Sequence, residues 1–319
     1  MITSRDQLDQ FASETGFRPD TLEKVLRLGA LLKDINRHPF LSKALVLKGG
    51  TALNLFFGAP KRLSVDLDFN YVGDASRERM LEDRPKVERA INTLAQGQNY
   101  RIQASKESHA GRKIYLSYIN TMGTRDRVEV DLNYVFRVPI GPILELPMWQ
   151  PGDHERPVAK IVPHEELYSG KACALLERVM PRDLFDVIDL SRHENGIWHS
   201  AHFKKVFIAF AGTLPHPLYT YDETRFGRIT ETFVTKQLNP MLTPDARMSA
   251  DHLKETAWAT IAPLLKLDNA EREYIERIHH GELHPELLFP HDDILKQLVA
   301  THPALQWKIE NVRKHLSRK

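Results

Sequence analysis

The sequence has 319 residues, 42% of them hydrophobic, and its 44 basic residues nearly balance its 42 acidic ones. This composition predicts a folded chain of two domains, and a net charge of +2 gives no strong indication of a nucleic-acid partner. No stretch approaches the roughly 18 apolar residues of a membrane span, and the single cysteine, Cys173, excludes an intramolecular disulfide. We therefore expect a cytoplasmic protein without a membrane partner.

The N-terminal third combines predicted helices with short predicted strands. Apolar residues at three- and four-residue steps predict two helices within residues 3–36. Residues 44–48 have the pattern of a strand, and Gly49 and Gly50 follow it directly before a short helix. Residues 63–72 alternate strictly between apolar and polar side chains, which is typical of a half-buried strand.

Further strands and then only helices are predicted along the rest of the chain. A helix from about residue 77 to 94 precedes three strands, which we expect to be antiparallel, at residues 100–105, 113–119 and 127–135. A proline-rich connection at residues 138–153 leads to one more strand candidate and two helices. From about residue 195 onward the patterns are helical. The sequence thus predicts an α+β fold, with a sheet-containing domain over residues 1–194 and an all-helical domain over residues 195–319.

Asp66 and Asp68 are the first candidate functional residues. They lie two residues apart on a predicted strand, so both carboxylates point to one face while Leu67 and Phe69 point to the core. Neighbouring carboxylates repel each other, and Mg²⁺ or Mn²⁺ binds such oxygens together with substrate phosphates. The alternative is that the two acids form the exposed face of an edge strand. The preceding glycine turn favours the first interpretation, because backbone N–H groups there can approach phosphate.

A third carboxylate is available on the strand around residue 130. Glu129 and Asp131 share one face of that strand, and either would complete a cluster with Asp66 and Asp68 if the two strands are neighbours. A cluster of three carboxylates can hold two metal ions, which activate an attacking hydroxyl and stabilise a leaving pyrophosphate. The pattern leaves open which of the two residues completes it.

Charged residues on the two helices after the sheet are further candidates. Lys171 and Arg178 are seven residues apart on one helix face, where both can reach a triphosphate. Asp183 and Asp186 share a face of the next helix. An alternative for Arg178, and for Arg182 beside it, is an ion-pair network with Asp183 and Asp186 that joins the two helices.

Four ordered motifs resemble the AbiEii family of nucleotidyltransferase-like toxins. They are KGGTAL from Lys48, LSVDLDF from Leu63, ELYSGKACALLER from Glu166 and PRDLFD from Pro181, and the resemblance extends over roughly residues 44–192. It implies a DNA polymerase β-like nucleotidyltransferase core, here as a mixed sheet flanked by helices, in the first domain. It also implies a type IV toxin–antitoxin pair with an AbiEi-like antitoxin as partner. The implied reaction transfers NMP from a nucleoside triphosphate to an RNA acceptor, at the tRNA 3′ end, which blocks translation.

The resemblance also assigns roles to individual residues. The glycine motif at Gly49, Gly50 and Thr51 and the two acids Asp66 and Asp68 are implied to bind nucleotide and metal. Ser64 matches a small hydroxyl residue of the family, Lys171 matches its phosphate-binding lysine, and Asp186 or Asp183 matches a carboxylate that assists catalysis. Asp131 depends on the strand argument more than on the family pattern.

Two other functions compete with RNA modification. The same core can transfer a nucleotide to a small molecule or a protein, or it can bind a nucleoside triphosphate without turnover. Basic residues in the C-terminal half are either a solvated surface or a face that contacts phosphates; they are Lys204, Lys205, Arg225 and Arg228. Cys173 lies within an apolar helix stripe and is predicted to be a core residue, not a nucleophile.

Overall fold

The computed structural model describes residues 4–106, 108, 110–193 and 196–317. The chain divides into two compact units. The first, here called the sheet unit, comprises Met1–Arg137, Pro142–Val162 and Asn239–Arg247. The second, the helical unit, comprises Val138–Gly141, Pro163–Leu238 and Met248–Lys319. The domain boundary predicted between residues 194 and 195 lies outside the described residues and stays a prediction.

The sheet unit contains the β-strands of the described chain and the first five helices. The helices are α1 (Arg5–Thr15), α2 (Pro19–Arg37), α3 (Leu41–Ala44), α4 (Gly49–Leu55) and α5 (Arg77–Gly97). The strands are β1 (Leu45–Lys48), β2 (Asp66–Tyr71), β3 (Arg101–Ala104), β4 (Gly111–Ile119), β5 (Arg125–Asn133), β6 (Leu144–Pro147) and β7 (Val158–Ile161).

The seven strands form one mixed sheet in the order β3-β4-β5-β2-β1-β7-β6. Strand β2 is parallel to β5 and β1 is parallel to β7, whereas the other neighbours are antiparallel, including the predicted β3-β4-β5 meander. Strand β6 lies within the segment predicted to be a connection. It is an edge strand ending at Pro147, and proline is tolerated at an edge because no neighbour needs its missing N–H.

Helices cover one face of this sheet. Helix α2 contacts β5, β7 and α5, and α5 contacts β3. The helix buries a stripe of aliphatic residues that includes Leu28, Leu31 and Leu32, and β2 contributes Leu67 and Phe69 to the buried set. The alternation of β2 therefore points its apolar side chains into the core and leaves its acids on the opposite face.

The helical unit contains no β-strand in the part that the structure describes. Its helices are α6 (His164–Arg178), α7 (Pro181–Ser191), α8 (Ala201–Ala211), α9 (Glu231–Gln237), α10 (Ala250–Leu265), α11 (Asn269–His279), α12 (Asp293–Thr301) and α13 (Pro303–Leu316). Helix α6 packs against α7 and α8, and α7 packs against α10. None of the described helices of either unit combines the length and the apolar character that a membrane span requires.

Local sequence signals explain where these helices begin. Pro181 occupies the first turn of α7, where its missing N–H is not needed by the helix. Asp268 and Glu271 form a capping box at the start of α11, which satisfies two N–H groups that have no partner within the helix. Aromatic side chains then fill the core: Phe203 of α8 is fully buried and contacts Tyr168, Trp198 and Phe207.

Phe203→Ala is expected to lower the free energy of unfolding by about 3–5 kcal/mol, because the truncation leaves a cavity among these aromatic rings. Urea unfolding followed by circular dichroism measures the change. Leu316→Ala, at the partly exposed end of α13, is the control and should change stability by less than about 0.5 kcal/mol. Equal stability of the two variants would contradict the packing described for Phe203.

Candidate active site

A glycine turn brings the backbone after β1 against the acidic strand β2. Gly49 has a φ of +74°, a conformation that side chains with a Cβ rarely adopt. A Cβ on Gly49 would lie 2.1 Å from Oδ2 of Asp68, and a Cβ on Gly50 would lie 2.8 Å from Oγ of Ser64. Both glycines are therefore required by close contact with the side chains of the next strand segment.

Further hydrogen bonds hold the turn in place. The buried hydroxyl of Thr51 donates to the carbonyl of Asp66, which ties α4 to β2. Asn54 Nδ2 donates to the carbonyl of Gly50 at 2.9 Å. Ser64 is buried beside Gly50. The structure thus brings together six of the predicted residues, from the glycine motif, Ser64 and the two acids, in one region of the sheet unit.

Four carboxylates share one face of the sheet at the β2–β5 pair. In the parallel register Asp66 lies opposite Glu129 and Asp68 lies opposite Asp131, and paired residues point to the same face. Burial raises the pKa of Asp131, and the negative charge of Asp68 raises it further, although Lys113 acts in the opposite direction. The repulsion that the sequence predicted between neighbouring acids is therefore present across two strands.

Lys113 of β4 is the residue of this face that the sequence interpretation missed. Its Nζ lies 3.3 Å from Asp131 and 3.4 Å from Glu129, and these two acids raise the pKa of Lys113 against the opposing effect of burial. Arg127 adds a second basic contact to Glu129, at 3.7 Å. The alternation of β4 placed Lys113 on a polar face, but only the pairing of β4 with β5 shows which acids it meets.

The carboxylates have the chemistry that a divalent cation needs. Hard cations such as Mg²⁺ take oxygen ligands, and a cation near Asp68 and Asp131 would remove the repulsion that raises the Asp131 pKa. Within the described residues, no group of three or more His, Cys, Asp or Glu side chains is already arranged to hold an ion. Asp66, Asp68 and Asp131 fit the metal as candidates, and their assignment stays a prediction. Glu129 has two basic contacts, which favours Asp131 as the third ligand.

A second charged cluster lies in the helical unit, between α6 and α7. Lys171 Nζ is 3.1 Å from Asp183 and 2.7 Å from Asp186, and Arg178 donates two hydrogen bonds to Asp183, at 2.7 and 2.8 Å. Lys171 and both aspartates are buried, whereas the Arg178 side chain is 48% exposed. Burial opposes the charge of Asp183, but Lys171 and Arg178 outweigh it and hold its pKa well below the ordinary value.

This cluster joins α6 to α7, as the ion-pair alternative predicted for Arg178, Asp183 and Asp186. Lys171 is its central cation, a position that helical spacing alone could not reveal. The catalytic roles predicted for Lys171, Asp183 and Asp186 stay predictions, as does nucleotide binding by Arg178. In the same unit, burial raises the pKa of the Cys173 thiol to about 12, so the thiol is protonated near neutral pH.

A glycine turn against a D-x-D strand in a mixed sheet is expected of a nucleotidyltransferase core of the DNA polymerase β type, and the predicted α+β fold class is confirmed. Residues 30–303 match the profile of the family described as nucleotidyl transferase AbiEii toxin, type IV TA system. The chain therefore belongs to the AbiEii family of toxin nucleotidyltransferases, which confirms the resemblance found in its motifs. This family implies a nucleoside triphosphate substrate and an antitoxin partner.

Similar solved structures agree with the fold. MenT4, a nucleotidyltransferase toxin from Mycobacterium tuberculosis H37Rv, aligns with a TM-score of 0.63 and 16% identity, over 95% of this chain and 99% of that chain. At this identity the likeness shows the fold alone. The CdnC:HORMA-deltaN complex from E. coli MS115-1 aligns over 95% of this chain and 98% of that chain with 9% identity and a TM-score of 0.28, which carries no argument. Among curated proteins there is no significant match.

Gly49→Ala is expected to destabilise the protein by more than the roughly 1–2 kcal/mol that a positive φ costs, because its Cβ must also displace Asp68. Gly123→Ala is the matched control: Gly123 has a φ of +76°, and no described atom lies within 4 Å of its added Cβ. Urea unfolding of both variants measures the difference. Equal losses would show that the contact between Gly49 and Asp68 does not constrain the turn.

Asp183→Asn is expected to lower the free energy of unfolding at neutral pH by about 3–5 kcal/mol, because it breaks a buried ion-pair network. The pKa of Asp183 is lower in the folded chain than in the unfolded chain, where the pKa of an aspartate is about 3.9. The stabilisation is therefore present above that pH and is lost as the pH falls below it. Urea unfolding at decreasing pH should show the stability of the wild type approaching that of the variant.

Asp9→Asn is the control for this measurement. Asp9 is 58% exposed and lies 3.8 Å from Arg5, so its loss should cost less than about 1 kcal/mol at any pH. A wild-type advantage over Asp183→Asn that persists unchanged at low pH would contradict the assigned charge of Asp183.

Proposed function

We propose that this toxin nucleotidyltransferase transfers NMP from a nucleoside triphosphate to the 3′ end of tRNA, and that the transfer blocks translation and growth. In the proposed site Asp66, Asp68 and Asp131 hold Mg²⁺ or Mn²⁺. The observation that carries the proposal is the position of Asp68, which faces Asp131 across the β2–β5 pair and contacts the glycine turn after β1. The acids proposed to bind the metal therefore lie next to the backbone proposed to bind the phosphates.

The reaction joins the acceptor hydroxyl oxygen to the α-phosphorus of the nucleotide. The bond between that phosphorus and the bridging oxygen of the β-phosphate breaks, pyrophosphate leaves with the electron pair, and the hydroxyl proton passes to solvent. A bound divalent cation supplies electrostatic stabilisation of the charge on the phosphates. The chain holds Asp68 and Asp131 on one face through the register of β2 and β5, so their positions are fixed before any ligand binds.

The glycine turn supplies the approach for the triphosphate in this proposal. Gly49 and Gly50 have no side chain between their backbone and the acids, so N–H groups of the turn can come close to phosphate oxygens. Thr51 holds the turn through its bond to the Asp66 carbonyl. We therefore expect Thr51 to determine the shape of the nucleotide site.

Lys171, in the helical unit, stays the residue predicted to bind phosphate, and Asp186 or Asp183 the carboxylate predicted to assist catalysis. The buried contacts of Lys171 decide how this role is tested. Lys171→Ala leaves Asp183 and Asp186 buried without their shared cation, so it destabilises α6 against α7 whether or not Lys171 binds phosphate. Lys171→Arg retains the charge and is the more informative variant.

Three of the basic residues considered for RNA contact bind within the helical unit itself. Arg225 donates to the Leu176 carbonyl at 2.9 Å and Arg228 to the Val179 carbonyl at 3.2 Å, while Lys204 lies 2.7 Å from Glu271. These contacts give the three residues partners within the protein, so the choice between a solvated surface and a phosphate-contacting face stays open for them. In the proposal the protein acts in the cytoplasm, and an AbiEi-like antitoxin neutralises it.

The test is incubation of the purified protein with Mg²⁺, each of four α-labelled nucleoside triphosphates, and total RNA. Wild-type protein is expected to label a tRNA-sized band, and chelation of the metal should abolish the label. Asp68→Ala should reduce labelling by at least about 100-fold, because it removes a metal ligand at the centre of the site. Asp131→Asn should lose as much, whereas Glu129→Gln should retain most of the activity.

The molecule that carries the label distinguishes between the competing functions. Label on protein or on a small molecule, with no labelled RNA, would replace RNA by another acceptor. Binding of a nucleoside triphosphate without transfer to any of these acceptors would establish a binding module. Full activity of Asp68→Ala would exclude the proposed metal site for every acceptor.

A further inference from the structure

The face of the sheet that carries the acids continues beyond them across β4 and β3. Lys113 lies opposite Asp131, Tyr115 opposite Glu129 and Ser117 opposite Arg127, and on β3 Gln103 lies opposite Tyr115 and Arg101 opposite Ser117. The intervening residues of β4 and β5 are buried on the helix side, among them Leu116 and Val128. The acidic site therefore borders a continuous polar face.

The half-buried Tyr115 and the more exposed Arg127 form a pair on this face. The Arg127 guanidinium lies 5.0 Å from the centroid of the Tyr115 ring, and the Arg127 side chain is 61% exposed. An aromatic ring on a solvent-facing strand contributes little to the core of the sheet unit. Aromatic rings and guanidinium planes are the groups on which unpaired nucleic-acid bases stack.

The charge of this part of the face is positive. Arg101 of β3 and Arg125 of β5 are exposed, and with Arg127 of β5 they place three guanidinium groups on the two strands that flank β4. On this face β3 and β4 carry basic, aromatic, aliphatic or neutral polar side chains. The acids of the face lie on β2 and β5. Phosphate groups of a nucleic acid are the complementary partner for such a distribution.

The order of the strands indicates the side from which the acceptor reaches the acids. The glycine turn follows β1, the acids lie on β2 and β5, and Tyr115 and Arg127 lie on β4 and β5, farther from the turn. In-line displacement requires the attacking hydroxyl and the leaving pyrophosphate to lie on opposite sides of the transferred phosphorus. With the triphosphate at the glycine turn, the acceptor approaches from the side of β5 and β4.

We infer that the single-stranded 3′ end of the RNA acceptor binds on this face. Its bases stack on Tyr115 and Arg127, and its phosphates contact Arg101 and Arg125. The inference rests on the proposed transfer to RNA and names the acceptor subsite of that reaction. Stacking explains why single-stranded RNA fits here, because paired bases inside a duplex do not offer their faces to side chains.

The test measures RNA binding directly by fluorescence anisotropy of the full-length protein with a labelled single-stranded RNA of about 12 nucleotides. Tyr115→Leu keeps an apolar side chain in the strand and removes the ring, so affinity should fall about tenfold with an unchanged salt dependence. Arg127→Lys keeps the charge and removes the stacking plane, so affinity should fall several-fold. Arg101→Gln should weaken binding and lower the salt slope by about 0.7.

Two controls separate this subsite from general effects. Arg5→Ala removes an arginine of matching exposure, 63%, whose ion pair with Asp9 is also long, and RNA affinity should be unchanged. Binding of a fluorescent nucleoside triphosphate should be the same in wild type, Tyr115→Leu and Arg127→Lys. In RNA labelling, the two face variants should raise KM for RNA and leave kcat nearly unchanged.

The outcomes distinguish this inference from the proposed function. If wild-type protein labels RNA and both Tyr115→Leu and Arg127→Lys bind RNA within about twofold of it, the subsite is wrong and the RNA transferase stands. If wild-type protein neither binds nor labels RNA, both proposals are overturned. If a duplex without a single-stranded end binds as tightly as the single strand, stacking of an unpaired end is excluded.

Discussion

The parallel pairing of β2 with β5 is the constraint on which the functional face of the sheet unit depends. Leu67 and Phe69 are buried on one side of β2, so a register shift of one residue would expose them and bury Asp66 and Asp68. The hydrophobic core thus fixes the acids where they repel Asp131 and Glu129. Apolar packing on the opposite face maintains this repulsion, which the proposed cation would relieve.

The glycine turn belongs to the same constraint. Asp68 occupies the space that any side chain at position 49 would need, so the turn and the acid can coexist only with glycine there. Close contact between them places the backbone proposed to bind phosphate next to the carboxylate proposed to bind metal. The turn and the acid are separated in sequence by α4 and the segment that leads from it to β2, yet each depends sterically on the other.

The sequence predicted the parts of this site that depend on local pattern. Strict alternation located β2 and placed its two acids on one face, and the glycine pair marked the turn. Pairing between distant segments is not encoded locally, so the contact of Lys113 with Asp131 could not be foreseen. Strand β6 was missed because a proline such as Pro147 is typical of loops and becomes acceptable in a strand only at a sheet edge. The partners of Lys171 likewise required knowledge of which helix faces meet.

The acids on β2 and β5 and the charged cluster between α6 and α7 differ in the contacts that their carboxylates make. In the helical unit Lys171 contacts both Asp183 and Asp186, and Arg178 contacts Asp183, so opposite charges meet directly and join α6 to α7. On the sheet, burial and the negative charge of Asp68 raise the pKa of Asp131, although Lys113 opposes them. A cation beside Asp68 and Asp131 would relieve this repulsion, whereas a ligand at Lys171 would have to displace its contacts with two buried aspartates. This repulsion is the stronger reason to propose metal and nucleotide chemistry at the acids of the sheet.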